Sequence, residues 1–436
     1  MRRYGGLVLT FVLVHLAIFW AIRHAPGQPL YDVPHVYLHW VRHGLVSDHW
    51  VGIQRPWVYP IGALLPMVLV AGLGLQHYGM EWLAVVTALN AGACLALALS
   101  GARGRLAAYW WLAFLAALGP VSLGRIDAMT IPLAIVAVLV LDRRPGLAAG
   151  LLTFAAWIKV WPVALLVMLL IASRSRLRIL VWSGLVTATV VAVSLALGAS
   201  LTTLSSFLGK QSGRGLQLES PAAVPWLWAK AIGAPGIHVV WLPALKTTNV
   251  TGHGTDLLAQ AMTPLMALVF GAVCALGIRA ARVNPHLGAF AGPLALALTT
   301  TLLVTDKVGS PQYETWIAAP IVLGLLHQGR GGPSFRSVAV LGVVVAGLTQ
   351  LLYPWHYVAL IDAHASAVLV VTLRNGLLIV LLGIGIAQLV AAGGTRLTPE
   401  PLAPESAPET GRGPDPVAPS PGDRPAVGGG AEPAAV

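Results

Sequence analysis

Apolar runs of about 20 residues recur along most of the sequence, and they constrain the fold more than any other feature. About 20 apolar residues cross a bilayer as one α-helix. Only 10% of the residues are charged, whereas an ordinary soluble domain has roughly a quarter. We therefore predict an all-α, multi-pass transmembrane bundle of about 11–13 helices. The candidate spans are 6–22, 60–76, 81–101, 106–122, 127–141, 146–172, 179–198, 257–279, 286–304, 311–328, 335–353 and 366–392.

The segment 146–172 is too long for one simple span and contains Pro162. A proline inside a helix removes a backbone hydrogen bond and kinks or breaks the helix. Irregular backbone at membrane depth is tolerated where it lines a cavity. We predict two short half-helices, with the KVWP sequence of Lys159–Pro162 at the break.

Basic residues orient the bundle, because cytoplasmic loops carry an excess of Lys and Arg. Arg2 and Arg3 place the N-terminus inside, and the C-terminus follows it there. The basic turns 173–178, 279–282 and 330–336 then fall inside as well, whereas three loops lie outside: 23–58, 199–256 and 305–312. Simple alternation leaves Asp142–Arg144 outside, against this rule. A split in 146–172 and a shallow segment near 60–76 would bring that turn inside. We expect a plasma-membrane protein.

The chain divides into a transmembrane domain, 1–395, and a tail, 396–436. The tail is rich in Pro, Gly, Ala and Glu and has no apolar periodicity, so we predict a disordered cytoplasmic extension. The net charge of +11 does not indicate nucleic-acid binding, because the basic residues lie in short loops between apolar runs.

Acidic residues are scarce, and in a lipid-embedded bundle each one is expensive. Asp32 begins an amphipathic, aromatic segment, DVPHVYLHWVRHG, in which Tyr37 and Trp40 suit a helix at the membrane interface. Asp32 would be either the N-cap of this helix or a carboxylate placed at the outer face to accept a proton. Asp48, in the same loop, is the reserve candidate for that role.

Polar residues also interrupt the next apolar runs. Arg55 and Tyr59 lie in RPWVYP, where interfacial anchoring is the simpler alternative. Arg125 and Asp127, in GRIDAM, need each other, a backbone partner or a wet cavity at this depth. Lys159 would either snorkel or line a cavity at the predicted break.

Two outer loops hold the remaining candidates. For the larger one, a solvated surface loop without a binding role is an open alternative. The large outer loop, 199–256, contains SSFLGKQSGRGLQLES and contributes Gln211, Arg214, Gln217 and Glu219. The second, TDKVGSPQYETW, contributes Lys307, Gln312 and Tyr313. A Lys or Arg beside a lipid phosphate would stabilise the charge of a leaving group. The sequence has no Walker A loop, zinc spacing or GxSxG elbow, and we expect neither a metal ion nor a cofactor.

These blocks, in this order, resemble the integral-membrane C-type glycosyltransferases. More narrowly, they resemble glycosyltransferase family 87, the polyprenyl-phosphomannose-dependent α-mannosyltransferases of actinobacteria. The resemblance rests on Asp32 with Tyr37 and the later VYP, on GRIDA followed by LDRRPGLAAG and KVWP, on GRGLQLES, and on KVGSPQYETW. It covers roughly residues 5–390.

The resemblance implies a mannosyl (hexosyl) transfer at the outer face, from a polyprenyl-phosphate sugar to a glycolipid or cell-envelope polysaccharide. It implies inversion at the anomeric carbon, with Asp32 as the general base and Arg214, Lys307 or Lys159 holding the phosphate. Another sugar such as arabinofuranose is the alternative within this fold. A lipid or sugar transporter or flippase is the alternative class, although transporters usually show paired broken helices in repeated halves.

Overall fold

The computed structural model describes residues 2–243 and 247–394, without the side chains of residues 2, 3, 211 and 212. These residues form an α-helical bundle with a single two-stranded sheet, which confirms the predicted all-α membrane fold. Six of the described helices are long and apolar enough to cross a membrane, and further apolar helices are shorter. The predicted disordered tail, 396–436, lies outside the described residues.

The first half of the bundle ends at the basic turn that follows α8. Its helices are α1 (Arg2–His24), α2 (Leu38–Ser47), α3 (Leu64–Leu73), α4 (Tyr78–Leu99), α5 (Ala102–Leu118), α6 (Asp127–Val140), α7 (Pro145–Ile158) and α8 (Val163–Ala172). The predicted break is confirmed: Lys159 is extended, with φ −150° and ψ 133°, between the end of α7 and the start of α8. Pro162 directly precedes α8, where its missing N–H is not needed.

The second half carries the large loop between α9 and α12. Its elements are α9 (Arg176–Ala196), α10 (Leu201–Ser212), α11 (Val224–Ala231), β1 (His238–Leu242), β2 (Thr247–Thr251), α12 (Thr255–Val283), α13 (Ala291–Val304), α14 (Ala318–His327), α15 (Arg336–Gln350), α16 (Tyr357–Ile361) and α17 (Ala365–Gly394). The strands pair antiparallel, with Val240 opposite Asn249. α13 is buried on nearly all sides, as expected of a central helix that is apolar all round.

Irregular helical turns connect these elements close to the candidate site residues. A π-helical turn, Val33–Tyr37, leads into α2. A kinked turn, Leu351–Trp355, follows α15, and Tyr353 within it is extended, with φ −122° and ψ 120°. A 3-10 turn, Pro311–Ile317, leads into α14. Shorter 3-10 turns lie at Ile61–Ala63, Gly119–Ser122, Pro221–Ala223 and Leu287–Ala289.

The basic turns meet at one end of the bundle. Arg103 donates a hydrogen bond to the carbonyl of Gly329 at 3.3 Å, and His327 lies 3.1 Å from the carboxylate of Asp142. Burial alone would raise the pKa of Asp142, but His327 and the charges of Arg330 and Arg143 outweigh it and lower that pKa. The turn at Asp142 therefore shares an end with Arg330, as the arrangement with a split 146–172 predicts.

α3 fits the shallow segment of that arrangement. Its 10 residues rise about 15 Å, half of the roughly 30 Å hydrocarbon core. The Tyr78 hydroxyl, at the start of α4, donates to the carbonyl of Met67 in α3 at 3.1 Å. The chain therefore turns back after α3 without reaching the basic end. The end opposite the basic turns, which we call the site end, contains the loop 23–58, called the first loop below, together with the α7–α8 break and the loop after α13.

Candidate active site

Asp32 holds its carboxylate toward the bundle, beside Arg125. Oδ2 of Asp32 lies 3.3 Å from Nε of Arg125, and the Asp32 side chain is 33% exposed whereas that of Arg125 is 9% exposed. Asp32 precedes the turn Val33–Tyr37 but forms no capping hydrogen bond with its side chain. The N-cap alternative therefore does not describe this carboxylate, which is held by an ion pair and still reaches solvent.

Most of the N–H groups of Arg125 donate to acceptors of the protein itself. Nη1 donates to the carbonyls of Pro29 (2.7 Å) and Gly124 (2.9 Å), and Nη2 donates to the hydroxyl of Tyr353 (2.8 Å). Together with the contact to Asp32, four of its five N–H groups have partners. Arg125 therefore fixes the position of Asp32.

Tyr37 links the first loop to the GRIDAM segment. Its hydroxyl accepts a hydrogen bond from the backbone N–H of Ile126 at 3.1 Å, and its ring is 1% exposed. Burial raises the pKa of Tyr37 well above its usual range, so this hydroxyl stays protonated. Tyr37 thereby holds the loop against the start of α6.

Asp127 and Lys159 form a second charged pair inside an aromatic box. Nζ of Lys159 lies 3.9 Å from Oδ2 of Asp127, and Oδ1 of Asp127 accepts a hydrogen bond of 2.7 Å from the Trp316 indole. The ammonium also lies over two rings, 4.9 Å from the centre of Tyr59 and 5.0 Å from that of Tyr313. Cation–π contacts stabilise a partly desolvated ammonium. Asp127 thus pairs with Lys159, not with its sequence neighbour Arg125.

The charges of three cations act on Asp306, in the loop after α13. Burial raises the pKa of Asp306 to about 6, and its hydrogen bond from Val308 and the charges of Arg214, Lys159 and Lys307 offset part of that rise. The cations come from the large loop, the α7–α8 break and the loop after α13. The three residues that the family resemblance assigns to the phosphate therefore all act electrostatically on one carboxylate.

Glu219 belongs to a buried charge cluster. Arg374 lies 3.1 Å from Glu219 and 3.4 Å from Glu314, and all three side chains are at most 4% exposed. Arg374 also donates to the backbone carbonyl of Glu219. Glu219 and Arg374 therefore fasten the large loop to α17, and the enclosed Glu219 carboxylate does not reach a solvent-exposed substrate position in this arrangement.

The other candidates are placed as follows. Gln217 is buried, and its backbone N–H donates to the carbonyl of Lys307 at 2.9 Å, which joins the two outer loops. Gln312 is partly buried in the 3-10 turn before α14, whereas Arg55 is exposed in the first loop. Gln211 lies in α10, and its side chain is outside the described part of the structure.

This geometry places the partly exposed carboxylate of Asp32 and a group of cations at the site end of a membrane bundle. The model of glycosyltransferase family 87 matches residues 57–306, more than half of the chain. The chain belongs to glycosyltransferase family 87. It is therefore a membrane glycosyltransferase, and the family implies a lipid-linked sugar donor and an acceptor in the membrane. No curated protein and no solved structure matches the chain.

The matched stretch of this glycosyltransferase includes Arg125, Asp127, Lys159 and the large loop through Glu219. Asp32 lies before it, and the turn of Pro311–Ile317 lies after it. The family assignment also favours a transferase over the transporter or flippase alternative.

Sequence reasoning missed several residues of the site. Tyr353 and Arg374 lie in or near apolar runs, and only the folded chain shows that they contact Arg125 and Glu219. Trp316 belongs to the quoted TDKVGSPQYETW block, but an aromatic residue there has an ordinary anchoring explanation. A cation inside the span 366–392 was the one available signal, because an intramembrane charge needs a partner.

Proposed function

We propose that this enzyme transfers a mannosyl residue from a polyprenyl-phosphate sugar to a glycolipid or cell-envelope polysaccharide, at the outer face of the plasma membrane. The observation that carries the proposal is the placement of Asp32: a partly exposed carboxylate, held by a buried arginine, at the end of the bundle opposite the basic turns. Since basic turns mark the cytoplasmic side, the site would face outward.

Asp32 would act as the general base. An acceptor hydroxyl within hydrogen-bonding reach of the carboxylate gives up its proton as its oxygen attacks the anomeric carbon. The bond from that carbon to the phosphate oxygen breaks on the opposite side, so the configuration inverts. Arg125 and Tyr353 hold the carboxylate in place during the attack.

Arg214, Lys159 and Lys307 would receive the phosphate. Their charges converge on Asp306 from three separate segments. Charge-assisted contacts to phosphate oxygens are about twice as strong as neutral hydrogen bonds. Cations placed at the leaving phosphate would stabilise the charge that develops there as the glycosidic bond breaks.

The test compares two Asp→Asn variants of the same loop. Membranes containing wild type, Asp32→Asn or Asp48→Asn are given radiolabelled polyprenyl-phosphomannose and a mixed glycolipid extract. Asp48 is the matched control, because it ends α2 in the left-handed region, at φ 54°, and no described contact joins it to Arg125. We expect Asp32→Asn to lose at least about a hundredfold, the usual scale for a missing general base, and Asp48→Asn to keep most activity.

The other outcomes separate the parts of the proposal. Transfer that survives Asp32→Asn but not Asp48→Asn would move the base to Asp48. Transfer from a polyprenyl-phosphoarabinofuranose, with none from the mannose donor, would favour the alternative sugar. Movement of labelled lipid across the bilayer without a new glycosidic bond would refute the transferase proposal for this chain.

A further inference from the structure

A polar cavity lies at the basic end of the bundle, opposite the site end that holds Asp32. It has a volume of about 250 Å³, the liquid volume of about eight waters. The turn between α8 and α9 forms one wall and the end of α12 the other, with Arg174, Arg176 and Asn284 among the lining residues. The mechanism proposed above uses none of these groups.

Both arginines of the cavity have charge to offer a ligand. Neither Arg174 nor Arg176 belongs to any ion pair of the described residues. Arg176 donates through Nε to the carbonyl of Leu170 at 3.3 Å, which leaves its terminal nitrogens for another acceptor. The lining contains no acidic residue. An anion, and specifically a phosphate whose oxygens can accept from the planar guanidinium groups, suits such a pair of arginines.

Exposed apolar side chains lie on α9 and α12, the two helices that lead away from this cavity. On α9, Leu177 is 76% exposed and Leu180 is 56% exposed, and on α12 Ile278 is 42% exposed. Ile278 lies one helical turn before Ala281, which lines the cavity, so the two share a helix face. A ligand held here would therefore meet cations at one end and a lipid-facing apolar surface beside it.

We propose that this cavity binds the phosphodiester headgroup of an anionic phospholipid, with its acyl chains lying along α9 and α12. Basic pockets between transmembrane helices on the cytoplasmic side bind such headgroups in other membrane proteins. A free phosphate would use the arginines but not the apolar flanks. The acidic tail, with six Asp and Glu against three Arg from residue 396 onward, is the competing occupant and an outcome of the test.

The test measures bound phospholipid on the detergent-purified full chain by native mass spectrometry, with phosphatidylglycerol as probe and phosphatidylcholine as the neutral comparison. The double variant Arg174→Gln, Arg176→Gln removes the two cavity cations. The control variant Arg282→Gln, Arg336→Gln removes two exposed cations of the same end that do not line the cavity. We expect about thirty-fold weaker phosphatidylglycerol binding in the cavity variant, at roughly five-fold per arginine, and a loss within about three-fold in the control.

Three results would overturn the proposal. The first is an equal loss in both variants, which would indicate general attraction to a basic surface. The second is full competition by inorganic phosphate alone, which would make the site one for a free anion. The third is a chain truncated after residue 394 that binds phosphatidylglycerol while the full chain does not, which would assign the cavity to the tail. Each variant must unfold at the wild-type temperature without lipid for its binding result to count.

Discussion

The buried cluster of Arg374, Glu219 and Glu314 makes a sharp prediction, because two carboxylates share one guanidinium. Arg374→Met removes the cation that pairs with both carboxylates and leaves the two carboxylates buried. Breaking a buried ion pair in this way costs about 3–5 kcal/mol of folding free energy. At roughly 2 °C per kcal/mol for a large domain, the unfolding temperature should fall by about 6–10 °C.

The reciprocal change should behave differently. Glu314→Gln leaves one carboxylate opposite one guanidinium, so the buried charges balance. The large cost of breaking a buried ion pair comes from the uncompensated charge that is left behind, and Glu314→Gln leaves none in this cluster. We therefore expect Glu314→Gln to unfold within about 2 °C of wild type, or above it.

The pH dependence gives the prediction a second readout. Burial raises the pKa of Glu219 even beside Arg374. A carboxyl group whose folded pKa lies above its unfolded value contributes stability at low pH and loses it as the pH rises through the folded value. The gap between Arg374→Met and wild type should therefore be small near pH 5 and large near pH 8.

The assay uses the chain's own cysteines. Cys94 is buried in α4, whereas Cys274 is partly exposed. In a Cys274→Ser background, a thiol-reactive fluorescent dye reports unfolding through Cys94 alone. A Glu314→Gln variant as unstable as Arg374→Met, or a loss in Arg374→Met that does not change between pH 5 and pH 8, would refute the charge argument.

Three further predictions concern the site itself. Tyr353→Phe removes the hydroxyl that accepts a hydrogen bond from Arg125. The kcat should fall about 10- to 100-fold, which is the scale of a hydrogen bond to a charged group. An unchanged kcat in steady-state kinetics would contradict this. The pKa of Asp306 is about 6, so this carboxyl is mostly protonated at pH 5 and mostly ionised at pH 8. Protonation removes a negative charge beside the phosphate, and the KM for the lipid-phosphate donor should therefore be about five-fold lower at pH 5 than at pH 8. Asp306→Asn should abolish this pH dependence of KM. In Gly309→Ala, the added Cβ would clash with the facing backbone of the large loop at Ser220, so both activity and unfolding temperature should fall. Gly347→Ala is the control, because open space surrounds Gly347, and it should leave both quantities unchanged.

The fold was largely predictable because its main signal is local. Most helices follow apolar runs that are visible in the sequence, and Pro162, which lacks a backbone N–H, lies at the break between α7 and α8. Simple alternation of the spans left the basic turn at Asp142 on the outer side, and this conflict indicated a split span and a shallow segment. The position of that turn beside His327 agrees with both.

The pairing within the site was less predictable, because it depends on contacts between distant segments. GRIDAM places Arg125 and Asp127 two residues apart, and yet Arg125 pairs with Asp32 and Asp127 with Lys159. Nothing in the local sequence distinguishes these partners from one another. Tyr353 is separated from Arg125 by most of the chain, and a tyrosine near a helix end has many simpler explanations.

The two half-helices around the α7–α8 break have a consequence for the lipid around the enzyme. α7 has 14 residues and α8 has 10, so they rise only about 21 Å and 15 Å from the basic turns. Lys159 then lies well below the far surface of a hydrocarbon core of roughly 30 Å. Either the bilayer thins beside this part of the bundle, or donor headgroups sink to meet the site. Turnover should therefore fall as host lipids with longer acyl chains increase the hydrophobic mismatch.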